Sequence, residues 1–406
     1  MIYRFRFLAG LALLLTSIAS AVHAGDAARG RYLAILGDCA GCHTRPKGAA
    51  FSGGLPFNAQ FGTVYSTNIT PDPQTGIGKW SGDDFYRALH EGVAPGGKHL
   101  YPAFPYVYFR RVTRQDTDDL FAYLKTLKPV HRPPTPNRMI FPANLRFGLV
   151  FWDLLYFDKT PPALPAGASP AWKRGEYIVN GLGHCAACHT PKTVLFGDET
   201  DRPLGGGTVD HWFANNLTGS EIEGLGKWSR QDVEKFLATG ISAHATAAGS
   251  MLEKVTSSTS KMTPQDRAAI ATYLKSLKPQ QLAAGGKPRP EQMERGRGIY
   301  QAYCQTCHAA NGEPHDGGAS AGYPNLAGDT LVMGRDPTTV LRIILTGGTA
   351  PKTQGSPPVK PMPAFDRLDD GQIADVASYI RNSWGNSALA VDATKVHVLR
   401  RALKTG

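Results

Sequence analysis

Three stretches of the chain share one rhythm of apolar and polar positions. In DDLFAYLKTLKP (118–129) the apolar residues Leu120, Tyr123, Leu124 and Leu127 fall at helical spacing, and Ile270, Tyr273, Leu274 and Leu277 repeat that spacing in RAAIATYLKSLKP (267–279). GQIADVASYIRNSW (371–384) is a third stretch of the same kind, and each predicts an amphipathic helix. Well before each of them stands an Arg-Gly stretch opening a short helical segment: ARGRYLAILG, KRGEYIVNGLG and ERGRGIYQAY. The intervening sequences also match in part. STNITPDPQTGIGKWSGDDFYRALHEGV (66–93) parallels ANNLTGSEIEGLGKWSRQDVEKFLATGI (214–241), so the first two segments look like duplicates and the third more distant.

Three modules follow, at 25–130, 168–280 and 291–386, with Pro-rich linkers at 131–167 and 281–290 and a basic tail at 387–406. With 45 glycines and 30 prolines, each module is expected to hold short helices joined by extensive loops, an all-α fold. The first linker contains FGLVFWDLLYF (147–157), apolar apart from Asp153 and preceded by Arg146. It is too short and too charged to span a bilayer, and reads as a strap packed on the modules or as a surface docking on a partner or membrane interface.

The opening MIYRFRF carries Arg4 and Arg6 and leads into LAGLALLLTSIASAVHA, which predicts a secretory signal peptide over 1–24 cut after Ala24. The formal charge of +11 falls to +9 when Arg4 and Arg6 leave. That excess is spread out, with no cationic cluster interleaved with aromatics, which argues against nucleic acid and suits an acidic partner or anionic lipid.

All six cysteines lie in three copies of one pattern: Cys39-Ala-Gly-Cys42-His43, Cys185-Ala-Ala-Cys188-His189 and Cys304-Gln-Thr-Cys307-His308. Disulfides give no reason for a histidine after each second cysteine. Zinc sites pair two such elements rather than three, and a thioredoxin-like site needs a βαβ context that is missing. C-x-x-C-H is the c-type haem attachment signature: two thiols three apart reach the two vinyl groups of one porphyrin, and the next imidazole lies beneath the iron. The sequence therefore predicts three haem c groups, with His43, His189 and His308 as proximal ligands.

Methionine is scarce enough for the sixth ligands to be counted. In module three Met362 sits in Lys-Pro-Met-Pro-Ala-Phe, a loop stiffened by prolines, with Met333 as competitor. In module two Met251 lies 62 residues after His189, with Met262 as competitor. Module one has no methionine. Trp80 of its GKWS motif precedes Phe104 by 24 residues, while Trp228 of the matching motif precedes Met251 by 23, so Phe104 occupies the ligand's slot. His99 in the same loop is the candidate ligand there; the alternatives are an open iron, Met139 from the linker, or His90, which lies in a helical segment and reads as a surface or core residue. His184, His211, His244 and His315 read as surface or supporting residues.

The three C-x-x-C-H modules, STNITPDPQTGIGKWSGDDF, LYPAFPY, NLRFGLVFWDLLYF and SSTSKMTPQDRAAIATYLKSL together resemble the three-haem cytochrome c subunits of bacterial membrane-bound dehydrogenases. The resemblance covers essentially the whole mature chain and implies three tandem cytochrome c domains. It implies a periplasmic protein associated with the inner membrane, which takes electrons from a catalytic dehydrogenase subunit (quinoprotein, flavoprotein or molybdenum enzyme) and passes them to a quinone or terminal oxidase. It maps the distal methionines onto Met251 and Met362. The commoner first-module loop reads Leu-Tyr-Pro-Ala-Met-Pro-Tyr, so Phe104 departs from it, in a form similar to cytochromes paired with molybdenum enzymes. The chain itself carries no nucleotide loop, flavin fingerprint or acid/base pair at informative spacing. A different class, a stand-alone peroxidase-like or thiosulfate-oxidising enzyme working at an open first haem, is the alternative expectation.

Overall fold

The computed structural model describes residues 25–158, 160, 163–280, 286–314 and 322–405; the expected signal peptide, His315 and part of the second linker lie outside the described residues. The longer helices and the strands are numbered in chain order. Module one holds α1 (Ala27–Leu36), β1 (Pro56–Ala59), β2 (Gly62–Tyr65), α2 (Gly82–Glu91), β3 (Val93–Ala94), β4 (Lys98–His99) and α3 (Arg114–Thr126). The linker adds β5 (Arg138–Met139) and α4 (Gly148–Tyr156). Module two holds α5 (Pro170–Tyr177), β6 (Gly207–Val209), β7 (Trp212–Ala214), α6 (Arg230–Thr239), α7 (Gly249–Ser257) and α8 (Pro264–Leu274). Module three holds α9 (Pro290–Tyr303), α10 (Thr338–Thr346), α11 (Asp370–Ile380) and the C-terminal α12 (Ala393–Thr405).

The fold is mostly helical but not all-α. Antiparallel ribbons β1–β2 and β6–β7 follow the first two histidine motifs, β5 joins the former as an edge strand, and β3 pairs with β4. Asp210 and His211 close the β6–β7 hairpin with φ of 48° and 57°, the two left-handed residues that a tight turn of primed type needs. Asp-His is not the Asn-Gly that announces such turns, which hid the hairpin in the sequence.

The three predicted closing helices are α3, α8 and α11, shifted towards the N-terminus of the expected spans. Their caps explain the shift. Thr113, Thr263 and Asp369 each accept a hydrogen bond from the backbone three residues on, before the apolar rhythm begins. Lys-Pro at 128–129 and 278–279 discourages continuation at the other end of α3 and α8.

Each closing helix crosses the helix that opens its module, and the Arg-Gly pairs are the crossing points. A Cβ on Gly30 would overlap the Asp119 carbonyl and lie 2.9 Å from the Tyr123 Cβ; on Gly175 it would meet Ala269 and lie 2.8 Å from Tyr273; on Gly296 it would meet Asp375 and lie 2.7 Å from Tyr379. In all three the backbones touch where a side chain would otherwise stand. The preceding arginine locks the crossing. Arg29 pairs with Asp116 and Asp119, Arg174 with Asp266 through two 2.8 Å hydrogen bonds, and Arg295 with Asp375 at 2.5 and 3.0 Å.

Modules one and two share one hydrophobic core. Leu33, Leu36, Phe109 and Leu124 of the first belong to the same cluster as Ile178, Leu182, Trp228 and Ile270 of the second. Module three has its own, built on Tyr300, Leu341 and Ile373. Polar contacts dock it on module two: Thr339 Oγ1 accepts from Phe213 N–H and donates to its carbonyl, and Arg335 reaches Glu223. The tail after Asn386 is not a loose end, because Val391, Val396 and Leu399 are buried in the module-three core.

Candidate functional site

Each Cys-x-x-Cys-His motif forms a short helical turn after the opening helix of its module, separated from it in module two by a wider turn over Ile178–Leu182. The six cysteines are half-buried, two in each motif. Among the described residues no cluster of three or more His, Cys, Asp and Glu could hold a metal ion by itself.

The three histidines are oriented alike. His43 Nδ1 lies 2.6 Å from the Thr67 carbonyl oxygen, His189 Nδ1 2.6 Å from that of Asn215, and His308 Nδ1 3.1 Å from that of Pro324. A carbonyl can only accept, so Nδ1 carries the proton in each ring and the Nε2 lone pair is left for a metal. Burial also pulls all three imidazoles below the usual histidine range, favouring the neutral ring that ligates. In the first two modules the histidine carbonyl is held in turn by a glycine with positive φ: Gly53 N–H and Gly206 N–H donate to it at 2.7 Å.

The accepting carbonyl always belongs to the residue before an asparagine: Thr67-Asn68-Ile69, Asn215-Asn216-Leu217 and Pro324-Asn325-Leu326. Asn68 Oδ1 accepts from Thr70 N–H at 2.9 Å and Asn68 Nδ2 donates to the Val130 carbonyl; Asn216 does the same with Thr218 at 2.7 Å and the Gln280 carbonyl. In the first two modules these buried turns fix the loop that aims the imidazole, and explain why STNIT and NNLT repeat between them; in the third Asn325 follows the accepting carbonyl, but its Oδ1 has no hydrogen-bond partner.

On the distal side Met251 sits in the first turn of α7, half-buried against the shared core, while its competitor Met262 is buried within that core. Met362 is extended and pinned at both ends, its N–H donating to the Gly348 carbonyl at 2.8 Å and its carbonyl accepting from Gly348 N–H at 3.1 Å. Met333 is buried. Phe104 packs on the shared core, edge-on to Phe109 at 5.4 Å, and Phe109 in turn meets the half-buried His184 ring at 5.7 Å.

His99 lies in β4, opposite Val93, with Nδ1 3.4 Å from the Asp153 carboxylate of α4; Arg146 donates to its carbonyl at 2.6 Å. Tyr106 donates to the same carboxylate at 2.5 Å. His90 stacks on Tyr86 at 3.9 Å and burial lowers it to about 4; Met139 lies in β5 beside Gly62.

The first two sites meet. α7, which carries Met251, packs on the Cys39–His43 turn of module one, with Lys254 Nζ 3.8 Å from Asp38 just before Cys39. His184, just before Cys185, lies 3.4 Å from the Gly37 carbonyl.

Comparison with known proteins agrees with this geometry. The family model for cytochrome c matches residues 27–128, 173–278 and 293–384. The chain is 39% identical to the gluconate 2-dehydrogenase cytochrome c subunit of Pantoea cypripedii, over 96% of this chain and 94% of that protein. It is 37% identical to the cytochrome c subunit of a quinone-linked alcohol dehydrogenase of Gluconacetobacter polyoxogenes, over 91% and 83%. It is also 33% identical to the fructose dehydrogenase cytochrome subunit of Gluconobacter japonicus, over 94% and 84%.

Proposed function

The chain belongs to the cytochrome c family, and we propose that it is the electron-transfer subunit of a periplasmic, membrane-associated dehydrogenase, carrying three covalent haems. The observation that carries this reading is the threefold recurrence of one arrangement, two thiols and an imidazole whose Nδ1 is spent on a backbone carbonyl. Haem, once bound, supplies a one-electron iron couple whose potential the axial ligands and surroundings set.

The chain's own residues do the rest. Cys39 with Cys42, Cys185 with Cys188, and Cys304 with Cys307 fix a porphyrin each. His43, His189 and His308 would hold the iron through Nε2, and Met251 and Met362 would be its further ligands in the second and third modules. His99 is our candidate for the first, since it lies in the loop that holds Phe104; its Nδ1 lies 3.4 Å from the Asp153 carboxylate without a hydrogen bond to it. The shared core of modules one and two holds their sites in fixed relation.

We assign the electron donor to a separate catalytic subunit, quinoprotein, flavoprotein or molybdenum enzyme, and the acceptor to a quinone or terminal oxidase. The relatives are named as cytochrome subunits of gluconate, alcohol and fructose dehydrogenases. Purification of the native complex in mild detergent tests the assignment. Three haems per chain by pyridine haemochrome, and a co-purifying dehydrogenase whose substrate reduces all of them, are expected. A chain with fewer haems, or one that turns over a small molecule with no partner present, overturns it.

A further inference from the structure

α4 is a helix of nine residues with two unlike faces. Leu149 is buried, Asp153 is turned inward to Tyr106 and His99, and Trp152 donates to the Leu195 carbonyl at 2.8 Å. On the other side Phe147, Phe151, Leu154 and Leu155 share one face by their spacing, and all stand in solvent, Leu154 at 78% exposure. The patch extends beyond the helix. Phe141 before it is 76% exposed, and Val194, in a module-two loop clamped to α4 by Trp152 and by Thr193 on Tyr156, is 82% exposed. The one acid of α4 has thus been withdrawn, and an apolar surface built from the linker and module two is displayed.

We propose that this face docks the chain on an anionic lipid bilayer, lying in the headgroup–acyl boundary without crossing it. The proposal rests on the reading of the chain as a membrane-associated subunit and names the surface that makes the association. Two observations select lipid over a protein partner. The outward side chains offer no hydrogen-bond donor or acceptor, whereas a protein interface carries about one hydrogen bond per 100–200 Å². Arg138 on β5, two residues before the exposed Ile140, has no carboxylate partner among the described residues, as suits anionic headgroups, while Arg146 ahead of α4 is turned onto the His99 carbonyl and the Tyr101 ring at 4.6 Å. A nine-residue helix is far shorter than the roughly 20 residues of a span, and no described helix is long and apolar enough to cross a membrane.

The test uses the full haem-loaded chain with vesicles of phosphatidylethanolamine and phosphatidylglycerol, and with phosphatidylcholine alone. The wild type is expected to float with the anionic vesicles, and the F147S/F151S/L154S/L155S variant to bind at least tenfold more weakly with an unchanged haem spectrum. L154C leaves one free thiol once the native six hold haem. A spin label there is expected to become accessible to oxygen and shielded from a water-soluble nickel chelate on binding, while a label at Lys395 does not. Vesicle binding with the 154 label still in water overturns this surface but leaves membrane association standing. No binding to either vesicle overturns both. Lipid-free dimerisation abolished by the same four substitutions overturns the lipid assignment in favour of a second copy.

Discussion

Lys254 and Asp38 face each other at 3.8 Å across the junction of the first two modules, and the Lys254 ammonium is buried there without a hydrogen-bond partner. Lys254 stands on α7, which carries Met251 and packs on the Cys39–His43 turn, so the cation adjoins both the first and the second haem position. A unit charge at about 10 Å with an effective dielectric near 20 is worth about 1.7 kcal/mol, or about 70 mV for one electron. Lys254→Met favours the more positive oxidised iron and should lower two of three midpoints, while Asp38→Asn should raise them. Spectroelectrochemical titration checks this; movement of the third midpoint, or of none, counts against it.

The glycines at the helix crossings make a stability prediction. Gly30→Ala, Gly175→Ala and Gly296→Ala each force a methyl into a facing backbone carbonyl and should cost about 2–3 kcal/mol. Denaturant unfolding should show the first two weakening one shared transition and the third a separate one.

Axial ligation predicts shifts of single haems. Met251→His and Met362→His should each lower one midpoint, because thioether ligation raises the potential, and keep the iron low-spin. His99→Ala should move one midpoint only. Its failure to change any midpoint or the spin state removes His99 as a ligand and leaves it as the partner of Asp153.

Asp329 gives module three a pH dependence. The carboxylate caps a short helix, accepting from Leu331 and Val332, yet burial raises it to about 7. A folded-state value above the unfolded one means that its stabilisation is complete below about pH 4 and is lost as pH rises through about 7, by up to about 1.4 kcal/mol per unit. Asp329→Asn keeps the cap and should flatten the thermal midpoint of module three between those values. An unchanged slope refutes it.

Arg381 is fully buried and makes no ion pair among the described residues; the Val332 and Gly334 carbonyls hold it at 2.8 and 2.9 Å, and burial, opposed by the charge of Asp336, pushes it down to about 10. Arg381→Met leaves both carbonyls unpaired and should destabilise module three by about 2–4 kcal/mol, read by calorimetry.

Much of this was legible in the sequence because it repeats. The thiol and imidazole positions, the Arg-Gly openings and the closing helices follow from residue type and spacing. What stayed hidden depended on distant pairs. Nothing near Asp153 indicates that it turns inward to meet His99 and Tyr106, and nothing in Lys254 indicates Asp38, 216 residues earlier. The tail read only as basic and weakly amphipathic because α12 buries a narrow stripe, Val396 and Leu399, among its lysines and arginines.

The cores also bear on how such a chain can be divided. Three look-alike segments suggest three interchangeable beads, yet Leu36 and Leu182 sit in the same interior, and a cut between them would open it to water. The severable joint is the later one, in the second linker, where the contacts that part are chiefly polar. As a unit of inheritance the chain is a couple with a lodger, and a lineage could shed or replace the third segment far more easily than it could separate the first two.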